Sequence, residues 1–145
     1  MSDPYTNLED LYEPIIEAFK AELEDLGIFD KISEGEELYT QDLEAWVLPG
    51  RDRIEHAGMH MLHHFLEVNV IIFTSAEGSM PQDLRPHGHQ AYNKLMEDIT
   101  HGGTCKWAMP TLFHPGYMQV NDLLTVGILM QFTAHFMQFY PLPTS

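Results

Sequence analysis

The sequence is poor in cysteine and in basic residues. Cys105 is its single cysteine among 145 residues, so no disulfide can form within the chain, and a reducing cytosol is the expected setting. We expect Cys105 to be a buried structural thiol rather than a nucleophile. Seven lysines and arginines stand against 22 acidic residues, and only Arg51 and Arg53 lie close together. Because a phosphate backbone is bound by clustered cations, this composition argues against a grip on nucleic acid.

The chain also lacks a hydrophobic run that could span a bilayer. Its longest apolar stretch, residues 123–130, is interrupted by Thr125 and Gly127 and is far shorter than the roughly 20 residues that a membrane helix needs. The sequence contains no glycine-rich phosphate loop, no nucleophile elbow, no HExxH zinc motif and no DxDxDG calcium loop. We therefore predict a protein that is not an enzyme, with no cofactor and no membrane partner.

What the chain has instead is acidity and ordinary core material. The formal net charge is −15, and 44% of the residues are hydrophobic. A chain of this length can bury a core without metal or disulfide support, so residues 1–145 are predicted to form a single domain. The acidity is expected to give a solvated, soluble surface, and a working role for the negative field is the alternative.

The pattern of residues 124–136 is the clearest structural signal in the sequence. Every second residue is apolar, which is the period of a strand with one buried face. A helix would need a face made of Leu124, Ile128, Gln131 and His135, which mixes apolar and polar side chains. We therefore predict that residues 123–140 form a long final strand.

Two helices are predicted earlier in the chain. The first ends at Gly27, and Thr6 and Glu9 have the spacing of a capping box at its start. Pro86 is expected to open the second helix, and the glycine pair 102–103 to end it. The apolar stripe of the first helix is Leu8, Leu11, Tyr12, Ile15, Phe19, Leu23 and Leu26. That of the second is Tyr92, Leu95, Met96 and Ile99.

The remaining elements are strands. Residues 43–48 form a strand that Pro49 and Gly50 close, a loop follows over residues 51–58, and a long strand covers about residues 60–74. Short strands or loops are expected at residues 27–41, 104–112 and 116–120. The order α-β-β-α-β-β predicts an α+β fold, in which an antiparallel-rich twisted sheet has two helices packed on one face.

A cluster of histidines invites a metal-site interpretation. It comprises His56, His60, His63 and His64, with Glu55 and Glu67 nearby. On a helix, His60, His63 and His64 would share a face and could hold an ion. On a strand, with a rise of about 3.3 Å per residue, His60 and His64 would lie roughly 13 Å apart. The β-branched and aromatic residues that follow favour the strand. We therefore predict no metal site, name His60, His63 and His64 as the candidates if one exists, and expect histidines at a sheet edge or subunit contact.

Other histidines and the tryptophans carry weaker signals. Four histidines without matching cysteine or carboxylate spacing are expected to be solvated loop residues: His87, His89, His101 and His114. Trp46 and Trp107 are expected in the core, with a subunit interface as the alternative.

The order of these pieces resembles the tail terminator proteins of long-tailed bacteriophages, and more loosely other head-to-tail neck proteins. The resemblance spans nearly the whole chain and rests on patterns rather than on signature residues, so it transfers no functional residue. Its pieces are an N-terminal helix (LEDLYEPIIEAFKAELEDLG), a strand with a turn (LEAWVLPG), a long strand (HHFLEVNVIIFT), a mid-chain helix (HQAYNKLMEDI) and a closing strand (LTVGILMQFTAHF).

The resemblance implies a structural virion protein that is assembled in the host cytoplasm and sits in the tail or neck. Copies would form a homo-oligomeric ring, expected to be a hexamer, at the head-proximal end of the tail tube. The ring would end tube growth and join the tail to the head connector, so the implied partners are the tail tube protein and a head-completion or connector protein.

Genome DNA would pass through the lumen of such a ring without specific binding. Six copies of −15 carry a formal −90, and acidic groups lining the lumen would repel the DNA. Two alternatives stay open. One is another neck, tail-completion or assembly protein, and the other is a metal-dependent enzyme that uses the cluster from His56 to His64.

Overall fold

The described residues of the chain fold into two helices and one five-stranded sheet. This computed structural model describes residues 7–35, 43–58, 60–75, 80–120 and 123–140. The elements are α1 (Leu8–Leu26), β1 (Lys31–Ser33), β2 (Glu44–His56), β3 (Met61–Ser75), α2 (Pro81–Leu95), β4 (Trp107–Val120) and β5 (Leu123–Phe139). The strand order is β1-β2-β3-β5-β4, with β1 parallel to β2 and the other pairings antiparallel. The predicted α+β fold is confirmed.

The core lies between the helices and one face of the sheet. The long strands predicted at residues 60–74 and 123–140 are confirmed as β3 and β5, and their alternate residues are buried. The buried residues of these two strands are Leu66, Val68, Val70, Ile72, Ile128, Met130, Phe132, Ala134 and Phe136. Phe19 of α1 packs edge-to-face on Phe132, with ring centroids 5.5 Å apart. Burial of these apolar side chains therefore stabilises the packing of both helices on this face of the sheet.

Helix α1 begins and ends on local signals. The Asn7 side chain accepts a hydrogen bond from the Glu9 amide at 3.1 Å and caps the helix. Thr6, which the sequence predicts in this capping role, lies outside the described residues. Gly27 has φ 74°, and its amide donates to the Glu24 carbonyl, so the predicted end of the helix is confirmed.

Strand β2 is longer than the sequence predicts. The expected closure at Pro49 and Gly50, with a loop over residues 51–58, is wrong, because β2 continues to His56. The register against β3 shifts between Pro49 and Asp52, which marks a β-bulge. The bulge accommodates the proline and resets the alternation of side chains. As a result Asp52 shares the helix-covered face with Leu66.

Strand β4 is likewise one element where two short ones were expected. It pairs with β5 at one end of the sheet order, and its register shifts between Pro110 and Leu112. Prolines are tolerated in an outer strand because its far side needs no ladder hydrogen bonds. After the shift, Phe113 lies opposite Met130 on the helix-covered face, whereas Leu112 lies on the other face.

Helix α2 begins earlier than predicted, at Pro81 rather than Pro86, and ends at Leu95 rather than at the glycine pair 102–103. Pro81 suits the first helical position, where no backbone donor is needed. The Asp83 carboxylate accepts a hydrogen bond from the Met80 amide at 2.9 Å and strengthens this start. Pro86 is therefore inside the helix, and turns occupy the segment before β4.

Gly88 is the point where α2 approaches the sheet most tightly. A Cβ there would lie 2.4 Å from Ile128 Cδ1 and 3.0 Å from Phe113 Cζ. We expect Gly88→Val to lower the free energy of unfolding by about 1–3 kcal/mol, because the packed sheet side chains must move. Urea denaturation measures the change. Gln90→Val, at an exposed position of the same helix, is the control and should cost less than about 0.5 kcal/mol; equal losses would contradict this packing.

Candidate functional site

The structure separates the histidines that the sequence groups as metal candidates. His63 and His64 are consecutive in β3, which is extended as predicted, so their side chains lie on opposite faces of the sheet. His60 precedes the strand, and its ring lies 6.2 Å from that of Phe139. In the parts of the chain that the structure describes, no three His, Cys, Asp or Glu side chains form a group that could hold a metal ion.

His64 belongs to a chain of hydrogen bonds under α1. Its Nδ1 lies 2.5 Å from Asp52 Oδ2, and its Nε2 lies 2.8 Å from Gln138 Oε1. The Tyr12 hydroxyl donates to the same Asp52 oxygen at 2.5 Å. The imidazole stacks on Phe136, with centroids 4.8 Å apart and planes 3° from parallel. The chain therefore ties α1 to strands β2, β3 and β5.

The geometry of these hydrogen bonds suits a role in stabilising the fold rather than in acting on a substrate. His64 is only 1% exposed, and both of its ring nitrogens are engaged. Burial raises the pKa of Tyr12, and its hydrogen bond to Asp52 raises it further, so the hydroxyl stays protonated and keeps donating. Because the polar groups are buried, each hydrogen bond offsets a desolvation cost.

Removal of the Tyr12 hydroxyl tests how much these hydrogen bonds contribute to stability. We expect Tyr12→Phe to lower the free energy of unfolding by about 1–2 kcal/mol, because Asp52 loses a charge-assisted hydrogen bond while the ring packing is kept. Urea denaturation measures the loss. Tyr117→Phe removes a hydroxyl from a residue that is 57% exposed and should change stability by less than about 0.5 kcal/mol. Comparable effects of the two changes would show that Tyr12 donates no significant hydrogen bond.

A second buried imidazole corrects a sequence expectation. His101, expected to be a solvated loop residue, is fully buried. Its Nδ1 lies 2.7 Å from Glu22 Oε2, and its ring stacks on Phe19 at 4.1 Å. It thereby fastens the turns after α2 to α1. Cys105, in the same segment, is buried as predicted, and burial raises the pKa of its thiol to about 11.

The other histidines of that expectation lie in secondary structure rather than in loops. His87 and His89 are in α2, and His114 is in β4. His89 and His114 are exposed, whereas His87 is half-buried. The expectation of solvated residues is therefore right for His89 and His114 alone, and the loop assignment is wrong for all three.

The second face of the sheet carries neither of the described helices and is named here the open sheet face. Its members come from β2, β3, β5 and β4. Those around its centre are Arg53, Glu55, His63, Phe65, Glu67, Trp107, Met109, Leu112, Gln131, Thr133 and His135. Met109 and Leu112 are 45% and 39% exposed, so large apolar side chains remain in contact with solvent.

Four cross-strand neighbours form a stacked row across this face. Arg53, Phe65, His135 and Trp107 lie opposite one another on β2, β3, β5 and β4. The Arg53 guanidinium lies 4.2 Å from the Phe65 ring centroid. The His135 ring lies 4.9 Å from that of Phe65 and 5.3 Å from that of Trp107. Trp107 is thus half-buried in a surface row and not in the core between sheet and helices.

Within this row, the His135 imidazole is hydrogen-bonded to a second imidazole, that of His63. His63 Nδ1 lies 2.8 Å from His135 Nε2, and the rings stack at 4.9 Å. His135 Nδ1 is buried and has no hydrogen-bond partner among the described residues. Burial lowers the pKa of His135, and the neighbouring His63 and Lys106 lower it further. The arrangement therefore favours an uncharged imidazole at the centre of the face.

The far end of the same side of the sheet holds the other tryptophan. Trp46 meets Phe73 edge-to-face, with ring centroids 4.9 Å apart, and Phe73 is fully buried. The indole nitrogen of Trp46 is buried and has no hydrogen-bond partner in the described part of the chain. Both tryptophans thus lie outside the cluster of apolar residues that the helices cover.

Charge is distributed unevenly between the two layers. Helix α1 carries seven acidic residues and one lysine. Around its centre the open sheet face carries Arg53 against Glu55 and Glu67. Arg53 is paired with Glu55, and Glu67 Oε1 accepts a hydrogen bond from Gln131 at 2.6 Å. Within the part of the chain that the structure describes, α1 is therefore much more acidic than the centre of the open sheet face.

Sequence reasoning missed the residues that organise both faces. Asp52 falls in the predicted loop over residues 51–58, and His135 is only one of the polar residues in the predicted strand. The position of Pro49 in front of a polar strand could have signalled a bulge. Nothing local in the sequence pairs His135 with His63, because the register across 72 positions is a tertiary property.

Comparison with models of known protein families and with curated proteins finds no match for this chain. Among the described residues, neither helix is long and apolar enough to cross a membrane. The class that the structure defines is an α+β domain with one sheet face under helices and one carrying a stacked aromatic and imidazole row.

Proposed function

We propose that this protein is a structural virion subunit that forms a ring at the head-proximal end of a phage tail tube. There it ends tube growth and joins the tail to the head connector. The observation that carries the proposal is the open sheet face beside the outer strand β4. A subunit with this surface gains by covering it with another protein, which is what an assembly component does.

The order of elements supports the proposal. The first helix, the strand through Pro49, the long strand β3, the second helix and the closing strand β5 follow one another as in the resemblance to tail terminator proteins, and β4 lies between the last two. The short strand β1 is an addition at the opposite end of the sheet from β4. The corrected bounds of β2, α2 and β4 lengthen the elements without changing that order.

The surface of β4 suits a contact that closes into a ring. Leu112 and Met109 are exposed on it, and Tyr117 lies further along the strand at 57% exposure. A ring needs two different surfaces on each copy, so that each contact is heterologous and the rotation closes. A long outer strand with apolar side chains is a surface that proteins usually cover or protect.

The acidity supports the same proposal in a different way. A ring of six copies would carry a formal −90, six times −15. DNA that passes through such a ring meets a field of its own sign and is not held. Helix α1, with seven acidic residues and one lysine, is the most acidic of the described helices and strands.

Deletion of the gene from a phage that encodes this chain tests the function. We expect overlong tail tubes in electron micrographs, because nothing stops the polymerisation of the tube protein. Expression of the chain in trans should restore the normal length. Tails of normal length that are not attached to filled heads would instead assign the protein to the connector, and normal particles would contradict both.

The purified protein should form a ring by itself or on isolated tail tubes. Six copies of 16.7 kDa give about 100 kDa, which light scattering coupled to gel filtration resolves from a monomer. Negative-stain images should show the ring alone or as a cap on one end of the tube. A monomer that neither assembles nor binds tubes, together with stoichiometric zinc or iron by elemental analysis, would favour the metal-dependent enzyme.

A further inference from the structure

We infer that the open sheet face is the surface through which one copy of this protein contacts a second copy, and that the contact forms while His135, which is hydrogen-bonded to His63, is uncharged. The inference rests on the proposed function, because it identifies an assembly surface of the ring and the condition that regulates it. Four observations carry it: the charge of the face, its extent, the geometry of the imidazole pair and the groups around that pair.

Charge selects a second copy as the occupant of the face. Contact between copies through α1 would bring seven acidic residues from a single helix into the interface. Around its centre the open sheet face offers Arg53 against Glu55 and Glu67, so it adds a net charge of only −1. A chain with a net charge of −15 can therefore approach its own kind through this face with the least repulsion.

The extent of the face suits such a contact. Four strands at about 4.8 Å spacing span about 19 Å. Ten residues of β3, from Met61 to Val70, span about 33 Å at about 3.3 Å each, and their side chains on this face are half-buried. The flat area is therefore about 600 Å² per copy, close to the roughly 800 Å² per partner of a standard protein interface. Aromatic residues and arginine, of the kind that forms the row on this face, are enriched in interfaces.

The imidazole pair limits the charge that this face can take. At 2.8 Å, one nitrogen must donate a proton to a lone pair on the other, so the neutral pair is hydrogen-bonded. One further proton leaves that hydrogen bond in place and adds one positive charge. A second proton puts N–H groups on both facing nitrogens, which breaks the bond and sets two cations side by side.

The surroundings of the pair do not compensate for that charge. From β2, Glu55 lies opposite His63 but is paired with Arg53. From β3, Glu67 is hydrogen-bonded to Gln131 of β5. Lys106, the residue before β4, adds a positive charge near His135 and opposes its protonation. These are the charged groups around the pair, and a covering copy would also remove water from it.

The sign of the pH effect follows from these constraints. The pKa of His135 is already lower in the folded chain than its ordinary value of 6.5, and covering the face depresses it further. The assembled state therefore binds fewer protons than the free copy, so association weakens as the pH falls below about 6.5. For each proton that the free copy binds and the assembled copy does not, association weakens by up to about tenfold for each pH unit of acidification.

A charge placed on the face tests the surface. Met109→Arg should weaken association at about pH 8 by at least about tenfold, because an unpaired guanidinium would be covered. Its control is Met80→Arg, at a residue that is 49% exposed at the start of α2 and should leave association unchanged. Sedimentation velocity measures both. Since both positions are exposed, circular dichroism should show that both variants are folded.

A titration tests the regulation. We expect the wild-type assembly to dissociate as the pH is lowered below 6.5, and His135→Phe to stay assembled there, because the phenyl ring keeps the stack but takes no proton. His89→Phe, at an exposed position on α2, should dissociate as the wild type does. His63→Phe provides a second variant that removes the facing nitrogen if His135→Phe does not fold.

The outcomes separate this inference from the proposed function. A ring that tolerates Met109→Arg, or one that ignores acid, overturns the inference and leaves the terminator proposal standing. Equal acid dissociation of His135→Phe, His63→Phe and the wild type also overturns it. If deletion of the gene leaves tails of normal length and the purified protein is a monomer at every pH, the proposed function itself is overturned.

Discussion

The antiparallel pairing of β3 with β5 is the constraint on which the rest of the structure depends. It runs from Met61 opposite Phe139 to Ser75 opposite Thr125, without a register shift. Because side chains alternate along both strands, this single register sends one set of residues under the helices and the other to the open sheet face. A slip by one residue would exchange the two sets, so the apolar core and the stacked row both depend on this register.

The two bulges adapt the outer strands to that central pair. In β2, the shift between Pro49 and Asp52 brings a carboxylate under α1, where it meets Tyr12 and His64. In β4, the shift between Pro110 and Leu112 divides neighbouring apolar residues between the two faces. Each bulge places a proline where it interrupts no necessary hydrogen bond and re-aims the residues after it.

Buried imidazoles fasten α1 at two places. His64 binds through Asp52 and Tyr12 towards the beginning of the helix, and His101 binds Glu22 towards its end. Both rings also stack on phenylalanines, so each binds a carboxylate and fills apolar space. A helix whose outer surface is strongly acidic is thus held to the sheet by polar contacts on its inner surface as well as by apolar packing.

Periodicity in the sequence determined the class of the fold, the long strands β3 and β5 and the end of α1 at Gly27. These features depend on residues close together in the chain, whose side chains decide the local conformation. Tertiary structure alone decided that β2 passes through Pro49, that His101 is buried and that His63 meets His135. Each of these depends on a partner far away in sequence, and proline or histidine taken by itself predicts a turn or a solvated ring. Local features could therefore be predicted from the sequence, whereas features that depend on strand register and other long-range contacts required the tertiary structure.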